Sequence, residues 1–206
     1  YNVKVYAICG SGDTSLATLD NFRTSCVAIS TLPYQNDFEQ EPHYSGTPYA
    51  DAFPSCWTRI NDATGTYNYY PYLYAYSTYA HSGATGMYWN LSTSTTYANN
   101  EYAVLPPIDT TVIDMTDLTL AYYAKTTSTS YHPQMIVGVM TDPTDQSTFT
   151  PVFDFGPNAT TIDWQMFTTS FANYTGYGNY IAIKVPRPSS TAYLAIDDIF
   201  LTDDWC

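Results

Sequence analysis

Hydrophobic and polar residues alternate along much of this chain, and a period of two residues is typical of half-buried β-strands. The alternation is clear in residues 3–7, 118–122, 135–139 and 181–185, and turns rich in glycine, proline and asparagine separate such runs. No apolar pattern with the 3.6-residue period of a helix continues beyond about two turns. We therefore predict about a dozen short strands, less than about one tenth helix, and two packed antiparallel sheets in an all-β jelly roll.

The composition agrees with this fold. The chain has 206 residues, 22 of them tyrosine, and only 12% of its residues are charged, against a usual share of about 25%. Tyrosine and threonine, which is also frequent, favour strands because their side chains fit a pleated, half-buried surface. Disordered chains are poor in such residues. We therefore interpret the chain as an ordered β-protein of the extracellular type.

The charge excludes some partners. The net charge is −13, with only six lysines and arginines scattered along the chain. Phosphate recognition needs clustered basic residues, so neither nucleic acid nor an anionic membrane surface is an expected partner. No apolar run approaches the length of about 20 residues that crosses a bilayer, so we expect no membrane insertion.

The sequence carries no recognisable catalytic motif. His43, His81 and His132 lie far apart, and no zinc-protease, nucleophile-elbow or phosphate-loop pattern occurs. A glycosidase would need two carboxyls about 5–10 Å apart across a cleft, which leaves Glu39 with Asp197 as one alternative. We predict that the protein is not an enzyme.

Residues 1–26 resemble the last hairpin of a fibronectin type III domain. The Tyr-x-Val-x-Val pattern of residues 1–5, the glycine-rich turn at 10–12 and the Phe-x-Thr of 22–24 carry this resemblance. It predicts a boundary near residue 26, with a terminal hairpin before it and the main domain at 27–206. A lone hairpin is marginal in water, so it must pack on something, either in a longer modular chain or as an extension of the main domain.

The main domain resembles the MAM-like jelly-roll domains of Gram-negative bacterial surface and adhesin proteins. Asp-Phe-Glu at residues 37–39, Cys-Trp at 56–57 and Ile-Asp-Asp-Ile at 196–199 carry this resemblance by their order and spacing. It implies a two-sheet jelly roll of the MAM or galactose-binding type. It also implies a secreted or surface location, on the outer surface of a Gram-negative bacterium, with neighbouring modules of the same chain as partners.

Four cysteines allow three pairings, and their spacing alone does not select one. The MAM-like resemblance implies a bond between Cys26 and Cys56 and leaves Cys9 and Cys206 without an assigned partner. An oxidising compartment fits this type of domain. The alternative is that all four cysteines are reduced and buried.

Aromatic residues are crowded between positions 67 and 79, and a tryptophan follows. We predict that Tyr67, Tyr69, Tyr70 and Trp89 offer ring faces to a sugar, with Asn90 supplying hydrogen bonds. The alternative is that alternate tyrosines fill the core and place their hydroxyls at its rim.

A structural calcium ion is the cofactor that we predict. Its ligands would be Glu39 and Asp197, with Asp37 or Asp198 assisting, because the first and last strands of a jelly roll commonly lie side by side. In a strand, Asp37 and Glu39 would share one face, whereas Asp197 and Asp198 would point apart. A hard cation with oxygen ligands would relieve the repulsion within such a cluster. The alternative is that these carboxylates face solvent or accept backbone hydrogen bonds.

These features together predict a non-catalytic, adhesin-type module that binds a glycan or a host protein. A structural spacer within a multidomain surface protein is the alternative. A binder should show an aromatic patch on its surface, which a spacer should lack.

Overall fold

The computed structural model describes residues 26–45, 47–65 and 67–204, together with the backbone of four short strands before them. The strands are β1 (Asn2–Val5), β2 (Ile8–Cys9), β3 (Asp13–Thr14), β4 (Thr18–Asn21), β5 (Tyr34–Asn36), β6 (Thr58–Asn61), β7 (Tyr72–Tyr74), β8 (Gly86–Leu91), β9 (Asn100–Val104), β10 (Thr119–Thr126), β11 (Ile136–Met140), β12 (Thr150–Asp154), β13 (Gln165–Ser170), β14 (Tyr180–Pro186) and β15 (Ala192–Thr202). Short 3-10 turns occur at Ser77–Tyr79, Met115–Asp117 and Gln146–Thr148.

Two antiparallel sheets form a sandwich. One has six strands, in the order β13-β10-β15-β8-β7, with β5 paired to β15 as well. The other has five strands, in the order β12-β11-β14-β9-β6. The protein is 38% strand and 5% helix, which confirms the predicted all-β class and the low helix content.

The main core lies between the two sheets and is built by alternation. In β10, Leu120, Tyr122 and Ala124 point into this core, so Ala121 and Tyr123 lie on the outer face of the six-stranded sheet. Alternate residues of β8 and β14 join the same core, and β15 contributes Leu194 and Ile196 before Asp197, and Ile199 and Leu201 after Asp198. Its largest fully buried side chains include Trp89, Tyr122, Phe38 and Phe171.

The first and last strands of the main domain are neighbours, as predicted. Antiparallel pairing joins β5 to β15, with Asn36 opposite Ile199 and Tyr34 opposite Leu201. A bulge in β15 lies directly before this paired region and centres on Asp198, which has a positive φ of 50°. This bulge determines how the acidic residues of β15 are aimed.

The predicted bond between Cys26 and Cys56 is confirmed, with 5.2 Å between the two Cα atoms. It closes a loop with a sequence separation of 30 residues, which contains β5. The side chains of Cys9 and Cys206 lie outside the described residues.

The N-terminal segment contains paired strands. β1 pairs with β4 and β2 pairs with β3, both antiparallel, in two small sheets separate from the sandwich. The assignment to a fibronectin type III domain and the boundary at residue 26 stay predictions.

Candidate functional site: a cleft on the outer face

A cleft of about 380 Å³ crosses four adjacent strands on the outer face of the six-stranded sheet. Residues from β13, β10, β15 and the end of β5 line it. The lining includes Gln35, Asp37, Ala121, Tyr123, Met166 and Asp198. Cavities of this size are typical of small-ligand sites in proteins.

One wall of the cleft is an aromatic ring held in a fixed orientation. The ring of Tyr123 stacks on His81, with 3.7 Å between the ring centroids and 12° between the planes. Trp164 meets the same histidine edge-on at 5.4 Å. Ala121 lies two residues before Tyr123 on the same face, and its small side chain leaves room beside the ring. Tyr123 therefore has one face packed and an orientation set before any ligand arrives.

The polar side of the cleft is formed by two carboxylates. Asp198 accepts a hydrogen bond from the Ser82 hydroxyl at 2.7 Å, and its other oxygen lies 2.5 Å from Nδ1 of His81. One oxygen of Asp37 accepts from the backbone N–H of Glu39 at 3.2 Å. Both carboxyl groups are therefore positioned by local contacts and place oxygen atoms at the edge of the cleft.

Glu39 and Asp197 bind the loop at residues 81–85. Oε1 of Glu39 accepts from the backbone N–H groups of Ala84, at 2.9 Å, and Thr85, at 2.7 Å. Oδ2 of Asp197 accepts from those of His81, at 2.7 Å, and Ser82, at 3.1 Å. These carboxylates anchor the loop that carries His81, which in turn supports Tyr123.

Gly83 is required within this loop. Its φ is +59°, and a β-carbon there would overlap the carboxyl group of Glu39. The close approach of Glu39 to the loop therefore depends on a residue without a side chain.

The predicted side-chain directions of the acidic residues are wrong in two respects. β5 ends at Asn36, so residues 37–39 do not continue as a strand, and Phe38 enters the core with a φ of 61°. The bulge at Asp198 turns both Asp197 and Asp198 toward loop 81–85, where strict alternation would have sent one of them away.

The calcium site stays a prediction. Within the part of the chain that the structure describes, no three metal-ligating side chains come together. Burial raises the pKa of Asp197 to about 7, although three backbone N–H groups oppose this shift. A nearby cation would stabilise the charged form of a carboxyl in this position. Oδ2 of Asp197, however, already accepts hydrogen bonds from two backbone N–H groups of the loop.

Tyrosines form a second cluster on the outer face, over β7 and β8. Its members, here called the tyrosine cluster, are Tyr44, Tyr49, Tyr67, Tyr69, Tyr70, Tyr72, Tyr74, Tyr79, Tyr88 and Tyr97. Tyr49 stacks between Tyr44 and Tyr69, with centroid distances of 4.0 and 4.7 Å. The guanidinium of Arg59 donates to the carbonyl oxygens of Tyr69 and Ala50, both at 2.7 Å. The cluster is therefore a packed layer that fixes two loops on the sheet.

The predicted sugar-binding residues fall largely within packed structure. Trp89 has no exposed surface and lies in the main core, so its predicted contact with a ligand is wrong. Tyr70 is buried, and its hydroxyl accepts a hydrogen bond from Nδ2 of Asn90 at 3.1 Å. Tyr67 stacks on Tyr97 at 4.2 Å, and Tyr69 stacks on Tyr49. Their ring faces are used by other tyrosines, which favours the core-filling alternative.

The residues that build the cleft were not predicted as ligand contacts. The outward position of Tyr123 could be predicted from the sequence. Tyr122 points into the core, and alternation along β10 places the next side chain on the other face of the sheet. The positions of His81 and Met166 could not be predicted, since they depend on contacts between distant segments.

Glu101 is a buried acid in β9, with 2% of its surface exposed. Its Oε2 has no hydrogen-bond partner among the described residues. Burial raises its pKa well above the ordinary value, the negative charge of Asp62 adds to this, and Arg59 opposes it. At a pH between the ordinary pKa of glutamate and this raised pKa, Glu101 therefore keeps its proton in the folded protein and loses it in the unfolded chain.

We expect Glu101→Gln to reduce the pH dependence of stability. Because the folded pKa is raised, the wild-type protein loses stability as pH rises from about 4.5, and the loss levels off above the folded pKa. Glutamine has the shape of the neutral acid at every pH, so the melting temperature of the variant should exceed that of wild type increasingly from pH 5 to pH 8. Asp163→Asn serves as the control, because Asp163 is exposed. Parallel curves for wild type and Glu101→Gln would contradict the assignment.

Three solved structures share this fold. They are the K2 domain of Lys-gingipain and the K1 and K3 domains of Lys-gingipain from Porphyromonas gingivalis W83, all described as cleaved adhesin domains. The TM-scores are 0.59, 0.57 and 0.55, and the sequence identities are 18%, 12% and 13%. The matches cover 83%, 85% and 82% of this chain and 98%, 100% and 98% of those domains. The similarity shows that this chain shares the β-sandwich fold of those domains.

No family model and no curated protein matches the sequence. Among the described residues, no helix is long and apolar enough to cross a membrane.

Proposed function

We propose that this protein is a non-catalytic binding module and that its ligand is a carbohydrate held in the outer-face cleft. The observation that carries the proposal is the fixed ring of Tyr123 beside two positioned carboxylates in a cleft of about 380 Å³. An aromatic face packs against the apolar C–H surface of a pyranose, and nearby polar groups fix its orientation.

Each side of the cleft has a distinct role in this proposal. The sugar ring lies against Tyr123 and over Ala121, where the side chain of Met166 covers its edge. Gln35 donates or accepts hydrogen bonds and Asp37 accepts them from the side of β5, and Asp198 accepts them from β15. His81 keeps Tyr123 in place, so little order has to be created on binding.

The contacts of Glu39 and Asp197 support a structural role over glycoside hydrolysis. An oxygen of each is held by two backbone N–H groups of one loop. A general acid or nucleophile would instead direct its oxygens to a substrate.

The setting that we propose is secreted or cell-surface, on the outer surface of a Gram-negative bacterium. The shared fold with adhesin domains and the disulfide bond support it. Neighbouring modules of a longer chain and a host glycan are the expected partners. A spacer would not need the open aromatic cleft, which favours the binding role.

Tyr123→Ala is expected to lower affinity for a glycan at least about tenfold, since it removes the stacking surface. Binding is measured first on an array of plant, mucin and host glycans and then by calorimetry with the strongest binder. Tyr76→Ala is the control, because Tyr76 is exposed and does not line the cleft. Absence of binding to every glycan, or equal loss in both variants, would contradict the proposal.

We also propose that calcium binds near Glu39 and Asp197, with Asp37 or Asp198 assisting. A ligand that binds only the folded state stabilises it by mass action, so added calcium should raise the melting temperature and a chelator should lower it. Glu39→Gln should abolish most of the calcium-dependent difference, whereas Asp163→Asn should retain it. A melting temperature indifferent to chelator, with no metal found by elemental analysis, would refute the site.

A further inference from the structure

The most exposed of the large apolar side chains in the described residues belongs to Tyr177. Tyr177 lies in the turn just before β14 and has 98% of its surface exposed. Other tyrosines of the described chain mostly pack on one another or on the core. An almost fully exposed ring contributes little to the fold, so both of its faces are accessible to a ligand.

The turn that carries Tyr177 is held in a defined conformation. The backbone N–H of Gly178 donates to the hydroxyl of buried Tyr174 at 2.8 Å. A β-carbon at Gly176 would overlap the ring of Tyr174, and one at Gly178 would overlap the carbonyl oxygen of Met140. The two glycines are therefore required by close packing, and the ring is offered to solvent by an ordered turn.

A groove of about 480 Å³ separates this turn from the loop at residues 110–115. Val112, on the opposite wall, has 65% of its surface exposed. Thr110, Thr111 and Asp114 contribute polar groups to the same groove. Hydrogen bonds from Thr116 lower the pKa of Asp114, so this acceptor is ionised at neutral pH.

The groove has the composition of a sugar site more than that of a protein interface. Among its lining residues, the exposed large apolar side chains are Val112 and Tyr177. The surface area of two side chains is far smaller than the roughly 800 Å² that each partner buries in a stable protein contact. A single exposed ring with hydroxyl and carboxylate groups nearby suits a ligand that is apolar on one face and polar at its edges.

We propose that this loop-end groove is a second carbohydrate-binding site. A pyranose stacks on Tyr177, Val112 contacts its far edge, and Thr110 and Asp114 accept hydrogen bonds from its hydroxyls. The ligand class rests on the function proposed for the outer-face cleft, although the two sites share no lining residue. Two sites on one module would let a long glycan, or two glycan chains, engage it with enhanced avidity.

Amide chemical shifts test the second site on the intact chain. The probes are cellohexaose, xylohexaose, mannohexaose and chitohexaose, added singly to isotopically labelled protein. We expect at least one of them to shift the backbone amides of Gly176 and Gly178 in a saturable manner. Tyr177→Ala should weaken that response at least about tenfold, while Tyr177→Phe, which keeps the ring, should stay within about threefold of wild type.

Variants at the two sites separate this inference from the proposed function. Tyr123→Ala should abolish shifts around Ala121 and leave those of Gly176 and Gly178 unchanged. If the cleft responds and the turn does not, or if Tyr177→Ala binds as wild type does, the second site is refuted and the cleft proposal stands. If no probe shifts either set of amides, both are refuted for these sugars.

Discussion

Phe38→Ala is expected to lower the free energy of unfolding by about 3–5 kcal/mol, the usual cost of removing a fully buried phenylalanine. Phe38 has no exposed surface and meets Trp57 edge-on, with 5.9 Å between the ring centroids. Its loss leaves a cavity directly beneath the segment that positions Asp37 and Glu39. Urea denaturation followed by tryptophan fluorescence measures the change.

Phe153→Ala is the matched control for Phe38. Phe153 lies on β12 with 49% of its surface exposed, so its removal should cost no more than about 1 kcal/mol. Similar losses for both variants would contradict the large cost expected at the buried Phe38. Phe38→Ala should also weaken glycan binding, because Phe38 holds the segment after β5 in place and Asp37 in that segment lines the cleft.

Removal of the Cys26–Cys56 bond is expected to destabilise the protein by about 3–4 kcal/mol. The bond closes a loop with a sequence separation of 30 residues, and cross-linking such a loop restricts the unfolded chain. The double variant Cys26→Ser, Cys56→Ser isolates this bond from the other two cysteines. Its stability is compared with that of the wild type by urea denaturation.

Reductant provides the internal control. Wild type should lose stability when a reductant is added, whereas the double serine variant should change little. A wild type that is indifferent to reductant, together with a double variant of equal stability, would contradict a stabilising role for the bond.

The fold could be predicted because strand periodicity is a local property of the sequence. Each of the alternating runs at 118–122, 135–139 and 181–185 lies on a strand of the sandwich for most of its length. Pairing of β5 with β15 and the Cys26–Cys56 bond followed from a resemblance, since neither can be derived from local pattern.

The site was less predictable because it depends on departures from regular geometry. Asp37 and Asp198 were singled out as acidic residues, yet their surroundings result from a positive φ at Phe38 and a bulge at Asp198. The density of tyrosine between residues 67 and 79 indicated a ligand surface, and most of it instead forms a packed layer. Composition cannot distinguish a tyrosine that packs from one that is presented.

The disulfide bond also decides how the module carries mechanical load. If tension is applied through the chain on either side of the domain, the covalent link passes it from Cys26 directly to Cys56. The segment between them, including β5 and the residues that border the cleft, then stays outside the load path. Force acts instead between the start of the five-stranded sheet at β6 and the end of β15 in the other sheet. In the oxidised module, tension therefore does not act on β5 or the cleft edge that it forms, whereas in the reduced module the same tension would pull β5 away from β15.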